Sequence, residues 1–278
     1  MTATVSGRPL VGCVTTGSLA SASAGKARRR GASLVRVLTV LAGDVLADRL
    51  GDGPPQIIAL HGWARSGADF SGILAGLDAL ALHLPGFGTT PPPPEAWGSR
   101  EYAELVAAAL PGGGPFVVVG HSFGGRVAVR LAAAHPERVR ALVLTGVPLI
   151  RATPPPRPVL ALRVAKRLHA AHLLPSAVLD RLRRRGGSAD YRAADGTMRG
   201  VLVRVVNEDY RDDLSAITAP VHLVWGADDD AAPLAGARLA AEILGVEVDV
   251  VPGGGHLLEG PLADAVRARV LVALGDAG

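Results

Sequence analysis

The stretch Val117 to Arg126 reads VVVGHSFGGR: three valines, a serine set among glycines, and residues able to open a helix. A run of β-branched residues reads as a strand. The segment that follows, FGGRVAVRLAAA over Phe123 to Ala134, reads as a helix. Nothing between them is long enough to be a loop, so the chain must turn sharply at Gly120-His121-Ser122-Phe123-Gly124. Glycines at 120 and 124 remove side chains that would collide in such a turn, and Gly125 lets the new helix lie close to the strands. The pattern is G-x-S-x-G in a strand-to-helix setting, which leaves Ser122 projecting from the carboxyl edge of a sheet. A plainer reading makes Ser122 only the cap of the helix.

Outward from this point the chain alternates. Short apolar runs recur at Val37–Leu41, Val45–Leu50, Ile57–Leu60, Ala79–Leu82, Phe116–Val119, Ala141–Leu144, Val221–Trp225 and Val246–Val251. Helix-length segments separate the later ones: Asp69–Leu77, Ser99–Leu110, Phe123–Ala134, Leu234–Leu244 and Pro261–Leu274. Strands alternating with helices predict an α/β protein whose mostly parallel central sheet is flanked by helices. The near-continuous apolar character of the runs agrees with burial on both faces. No helix separates the first two runs, which predicts an antiparallel hairpin at the sheet edge.

Two partners for Ser122 follow in chain order. VWGADDDAAP lies after the run Val221–Trp225, and VPGGGHLLEGP spans the end of the last run. An acid after one late strand and a histidine after the last is the order of a Ser-Asp-His hydrolase site. Together with HGW after the third strand and LPGFG after the fourth, these motifs make residues 35–275 resemble the α/β-hydrolase superfamily. The resemblance to W-G-x-x-D-x-x-x-P makes Asp229, not Asp228 or Asp230, the acid. It implies Ser122 as nucleophile, His256 as base, and an oxyanion hole of the backbone N–H groups of Phe123 and Trp63. Neither donor's side chain is expected to be essential. Where relatives resemble D-x-P-G-x-G this chain has HLPGFG, with His83 in place of an aspartate.

The remaining histidines carry structural expectations. His61 and His121 orient loops, His135 ends a helix, and His222 sits within a strand. No phosphate loop, H-E-x-x-H, cysteine cluster or dinucleotide fingerprint occurs, so neither cofactor nor metal is expected. Relatives acting on epoxides or carbon–halogen bonds carry aspartate where Ser122 stands, which argues against those activities. The expected function is therefore a serine hydrolase of a small or medium carboxylic ester. Carbon–carbon bond hydrolysis, a haloperoxidase-like activity, or a non-catalytic ligand receptor on the same fold remain as alternatives.

Charge divides the chain of 278 residues unevenly. Residues 1–36 hold six basic residues and no acid, and residues 148–206 hold twelve basic residues and three acids. Against a formal total of +4, the rest is strongly acidic. A nucleic-acid binder is not built this way, and no aromatic platform accompanies the arginines. Residues 1–33 show no periodicity and read as a disordered tail. LVGC at Leu10–Cys13 lacks the preceding basic and apolar regions of an export signal. No stretch has the roughly 18 apolar residues that a membrane span needs. The single cysteine, Cys13, suits a cytoplasmic protein. Oligomeric state is not legible.

An insert over 149–206 interrupts the body formed by 34–148 and 207–278. It opens with RATPPPRP and continues as a basic, helical segment. The resemblance makes it a cap over the nucleophile. Its arginines, Arg181 and Arg183 to Arg185 among them, are either a solvated face or a lure for an anionic substrate, and both readings stay open.

Overall fold

The computed structural model describes residues 37–151, 165, 167–175, 178 and 188–275. The tail and part of the predicted insert, including residues 152–158 of RATPPPRP and the arginines at 181–185, lie outside the described residues.

Strands β1 (Val37–Val40), β2 (Leu46–Leu50), β3 (Ile57–Leu60), β4 (Ala79–His83), β5 (Phe116–His121), β6 (Val139–Thr145), β7 (Val221–Gly226) and β8 (Val248–Val251) form one sheet. Its order is β1-β2-β4-β3-β5-β6-β7-β8. The first pairings, β1 with β2 and β2 with β4, are antiparallel, and all others are parallel. The edge hairpin and the parallel body both match the alternation in the sequence. Ile57 opposes Val117 and Leu60 opposes Gly120, which sets β3 beside β5 with their carboxyl ends level.

The valines of β5 show why the strand runs are continuously apolar. Side chains alternate across a sheet, so Val118 packs into one buried layer while Val117 and Val119 pack into the other. Helices α1 (Ser99–Ala109) and α2 (Phe123–Ala134) cover the first layer. Between residues 149 and 206 lie α3 (Ala189–Ala193) and α4 (Gly196–Val205), and after them come α5 (Arg211–Ala216), α6 (Leu234–Leu244) and α7 (Gly260–Gly275). Helix α7 closes the second layer with Leu262, Val266, Val270 and Ala273, a spacing that keeps one stripe facing the sheet.

One predicted helix does not form. Asp69–Leu77 is a 3₁₀ turn at Gly67–Phe70 followed by further turns. Gly72 and Gly76 lie in so short a segment that a costly helical nucleus has nothing to propagate into, and Gly76 has a φ of +76°. The last strand also starts at Val248 rather than Val246. At the end of β4, buried His83 places Nε2 3.2 Å from Asp48 Oδ2 on β2.

Candidate active site

The turn after β5 is strained as its sequence implies. Ser122 has φ 50° and ψ −113°, a conformation that a non-glycine residue keeps only where its surroundings enforce it. The enforcement comes from both flanking strands. The Ser122 N–H donates to Thr145 O at 3.0 Å, and Gly124 N–H donates to His61 O at 2.9 Å. A Cβ on Gly120 would sit 2.5 Å from Gly125 Cα, and one on Gly124 would sit 2.1 Å from Leu60 O. The Ser122 side chain makes no capping bond to α2, which removes the plainer reading. Its hydroxyl instead lies 3.1 Å from His256 Nε2.

His256 and Asp229 arrive from the ends of β8 and β7. The Nδ1–H of His256 donates to Asp229, at 2.9 Å from Oδ2 and 3.0 Å from Oδ1. Asp229 Oδ1 also accepts from the N–H groups of Ala231 at 3.0 Å and Ala232 at 2.7 Å. Buried Trp225 closes this acid loop, its Nε1–H donating to Ala232 O at 2.7 Å. Asp228 and Asp230 are exposed, so of the three consecutive aspartates only Asp229 turns inward. Gly226, at the end of β7, lets the His256 loop pass close: a Cβ there would meet Gly254 O at 2.4 Å and Gly255 O at 2.3 Å. Gly146, with φ +60°, passes so close beneath that its Cβ would lie 3.0 Å from His256 Nδ1.

Trp63 and Phe123 meet across the mouth of the turn. Neither backbone N–H is taken up by a protein acceptor among the described residues, and both residues line the cavity that contains Ser122. Their side chains were expected to be dispensable, yet they pack edge to face at 5.7 Å. Phe87 lies 4.9 Å from Trp63 and 5.7 Å from Phe123, and Tyr102 lies 5.0 Å from Phe123. In a chain with only four Phe, three Tyr and three Trp, half of the aromatic residues gather in this cluster once Trp97 is added against Tyr102. Each such contact adds about 0.5–1.5 kcal/mol beyond burial, so the cluster stiffens the two segments that carry the candidate donors.

The flanking histidines are structural, as expected. His61 Nδ1–H donates to Gly62 O at 2.8 Å and its Nε2 accepts the Leu84 N–H at 3.0 Å. His121 Nε2–H donates to the backbone oxygen of His256 at 2.9 Å, pinning the loop that carries that histidine. Burial is the main reason that both are held neutral, with pKa values lowered to about 4. His135 ends α2 and lies 3.0 Å from Glu104.

Sequence reasoning missed Arg126. It is buried on α2, donating to Val205 O from Nη1 at 2.6 Å and to Pro148 O from Nη2 at 2.9 Å. Those two carbonyls lie 57 residues apart in the chain and are held to one side chain. A signal was available: Arg126 and Arg130 stand one turn apart in an otherwise apolar helix. The cavity, of about 850 Å³, is lined by Leu149 and Ile150 on one side and Leu202 and Val205 of α4 on another. Among the described residues no helix is long and apolar enough to cross a membrane.

Comparison with known proteins agrees with this architecture. The family model described as the alpha/beta hydrolase family matches residues 57–269. A pimeloyl-[acyl-carrier protein] methyl ester esterase of Aromatoleum aromaticum is 32% identical over 218 residues, covering 67% of this chain and 84% of that protein. The enzyme of the same name from Aeromonas hydrophila is 40% identical over 104 residues, covering 36% of this chain and only 40% of the relative's own length. The crystal structure of a Mycobacterium tuberculosis esterase superposes with a TM-score of 0.58 at 24% identity, covering 88% of this chain and 92% of that one. With the sheet order, the serine turn and the family match in agreement, the chain belongs to the alpha/beta hydrolase family.

Proposed function

We propose that this protein is a cofactor-independent serine hydrolase that cleaves a small or medium carboxylic ester through an acyl-enzyme. The observation that carries the proposal is the continuous relay from Ser122 Oγ through the His256 ring to buried Asp229, opening onto a cavity. A serine hydroxyl is a weak nucleophile until a base removes its proton as it attacks. His256 Nε2 takes that proton, and Asp229 fixes the ring with Nδ1–H towards itself and stabilises the imidazolium. The carbonyl oxygen becomes an oxyanion held by the N–H groups of Phe123 and Trp63. Loss of one such donor typically costs about 10²–10³-fold in turnover. The imidazolium then protonates the departing alcohol. Water, activated by the same base, hydrolyses the Ser122 acyl ester.

The insert 149–206 acts as the cap in this reading, with α4 supplying an apolar wall for the substrate. Single Cys13 fits a cytoplasmic setting. The methyl esters named for the relatives make short-alcohol esters the first substrates to try. The test is a series of p-nitrophenyl and methyl esters of increasing acyl length, with fluorophosphonate labelling of the wild-type protein and of Ser122→Ala. Hydrolysis and labelling that both vanish in Ser122→Ala support the reading. A protein that binds esters without labelling or turnover is a ligand receptor. One that cleaves only vinylogous diketones is a carbon–carbon hydrolase.

A further inference from the structure

Four arginines line the Ser122 cavity, and two of them have an acid partner. Arg65 pairs with Asp69 and Arg211 with Asp209. Arg126 and Arg151 have none within 4 Å among the described residues. The guanidinium of Arg126 is only 8% exposed at the residue level. Two of its nitrogens bond backbone carbonyls, its Nε–H has no hydrogen-bond partner among the described residues, and the guanidinium lies 5.8 Å from the centre of the Tyr210 ring. Carbonyl oxygens satisfy donors, but they do not neutralise a charge. Among the described residues Arg151 Nη2 likewise reaches only a carbonyl, Val206 O at 3.1 Å. The two cations are near enough to repel each other, and burial is the main cause that lowers the Arg126 pKa from its ordinary value.

The acids facing this pair are otherwise engaged. Glu208 attracts Arg126, but its carboxylate accepts from Ser99 Oγ at 2.6 Å, from the Ser99 N–H and from the Tyr210 hydroxyl at 2.7 Å. Asp209 holds Arg211, and Asp190 is exposed. A buried cation lacking a counter-ion is costly, and the cost falls when an anion is brought to it. A guanidinium presents its donors in a planar fork that suits a carboxylate. Arg126 stands one helical turn beyond Ser122 and lines the same cavity.

We infer that Arg126 and Arg151 form an anion subsite in the Ser122 cavity, so that the preferred ester carries a carboxylate distant from the scissile bond. The inference rests on the proposed hydrolase reading for its catalytic half only. Its first test compares kcat/KM for monomethyl esters of straight-chain dicarboxylic acids with methyl esters of monocarboxylic acids of equal length. A charged hydrogen-bonded contact predicts a preference of roughly ten- to a hundredfold for the anionic ester at the best length. The ratio should fall towards unity in Arg151→Gln and Arg126→Gln, chiefly through KM, and should not change in Arg238→Gln, where the exposed charge lies outside the cavity lining. Should Arg126→Gln melt out, Arg151→Gln carries the test alone. The second test needs no turnover: calorimetric binding of glutarate and of its neutral dimethyl ester to Ser122→Ala. Tighter binding of glutarate, lost in the Arg151→Gln double variant, supports the subsite even if no ester proves to be a substrate. Equal rates and equal binding for the charged and neutral compounds overturn it, while Ser122-dependent cleavage of the neutral ester would leave the hydrolase reading intact.

Discussion

Replacing Gly124 by alanine tests whether the serine turn is set by backbone contact. The added Cβ would lie 2.1 Å from Leu60 O, 2.3 Å from Leu60 C and 2.6 Å from His61 O. Each neighbour is main chain at the end of a central strand, so none can rotate away. Relief to ordinary contact requires α2 and the end of β3 to separate by about 1 Å. That movement opens the gap between the Phe123 and Trp63 N–H groups, because Trp63 follows His61 by two residues and Phe123 precedes Gly124 directly. A misplacement of about 1 Å costs on the order of 100-fold in rate, and overpacking costs about 1–3 kcal/mol in stability. The assay is steady-state hydrolysis of p-nitrophenyl butyrate beside a thermal melt. Gly112→Ala serves as control, since a Cβ there meets nothing within 4 Å. Gly124→Ala should lose about two orders of magnitude in kcat while still melting cooperatively. Wild-type kcat and melting temperature in that variant would refute the argument that these backbones hold the turn.

Asp229→Asn should lower kcat by about 10⁴-fold, because the amide favours the wrong imidazole tautomer, whereas Asp228→Asn and Asp230→Asn should change it little. The three rates measured side by side check that only the inward-facing acid matters. Trp63→Ala removes edge-to-face contacts with Phe87 and Phe123. It should reduce kcat despite keeping the backbone donor, and kinetics beside a melt separate this from unfolding. Burial lowers the pKa of His61 and His121 to about 4, while the unfolded chain protonates them near 6.5. The unfolded state therefore binds more protons between those values, so their contribution is complete above about pH 6.5 and declines as pH falls towards 4. At pH 5 the loss is about 2 kcal/mol for each histidine. Urea unfolding at pH 7.5 and 5.0 measures it, and His121→Asn should reduce the difference by about half, His61 supplying the remainder.

The relay was readable because each of its members sits in a local pattern. Gly120-His121-Ser122-Phe123-Gly124 can only be a tight strand-to-helix turn, and strand alternation fixes which chain ends lie at the carboxyl edge. Asp229 could be chosen from three neighbours by its spacing to Trp225 and Pro233, and Trp225 proves to close the loop that buries it. The short helix over Asp69–Leu77 was misread because apolar spacing alone did not weigh two glycines in nine residues.

The sequence by itself determined the parallel sheet, the sharp turn at Ser122 and the order of Ser122, Asp229 and His256 along the chain, since these follow from periodicity and short-range turn chemistry. Only the tertiary structure decided which long-range neighbours share an environment. Asp48 on β2 meets His83 on β4, and Trp63, Phe87, Tyr102 and Phe123 converge from four separate segments. Arg126 is buried between the carbonyls of Pro148 and Val205, with no acid within 4 Å among the described residues. The charge state and the cost of such groups depend on burial and on partners tens of residues away, and neither is encoded in the local pattern around them.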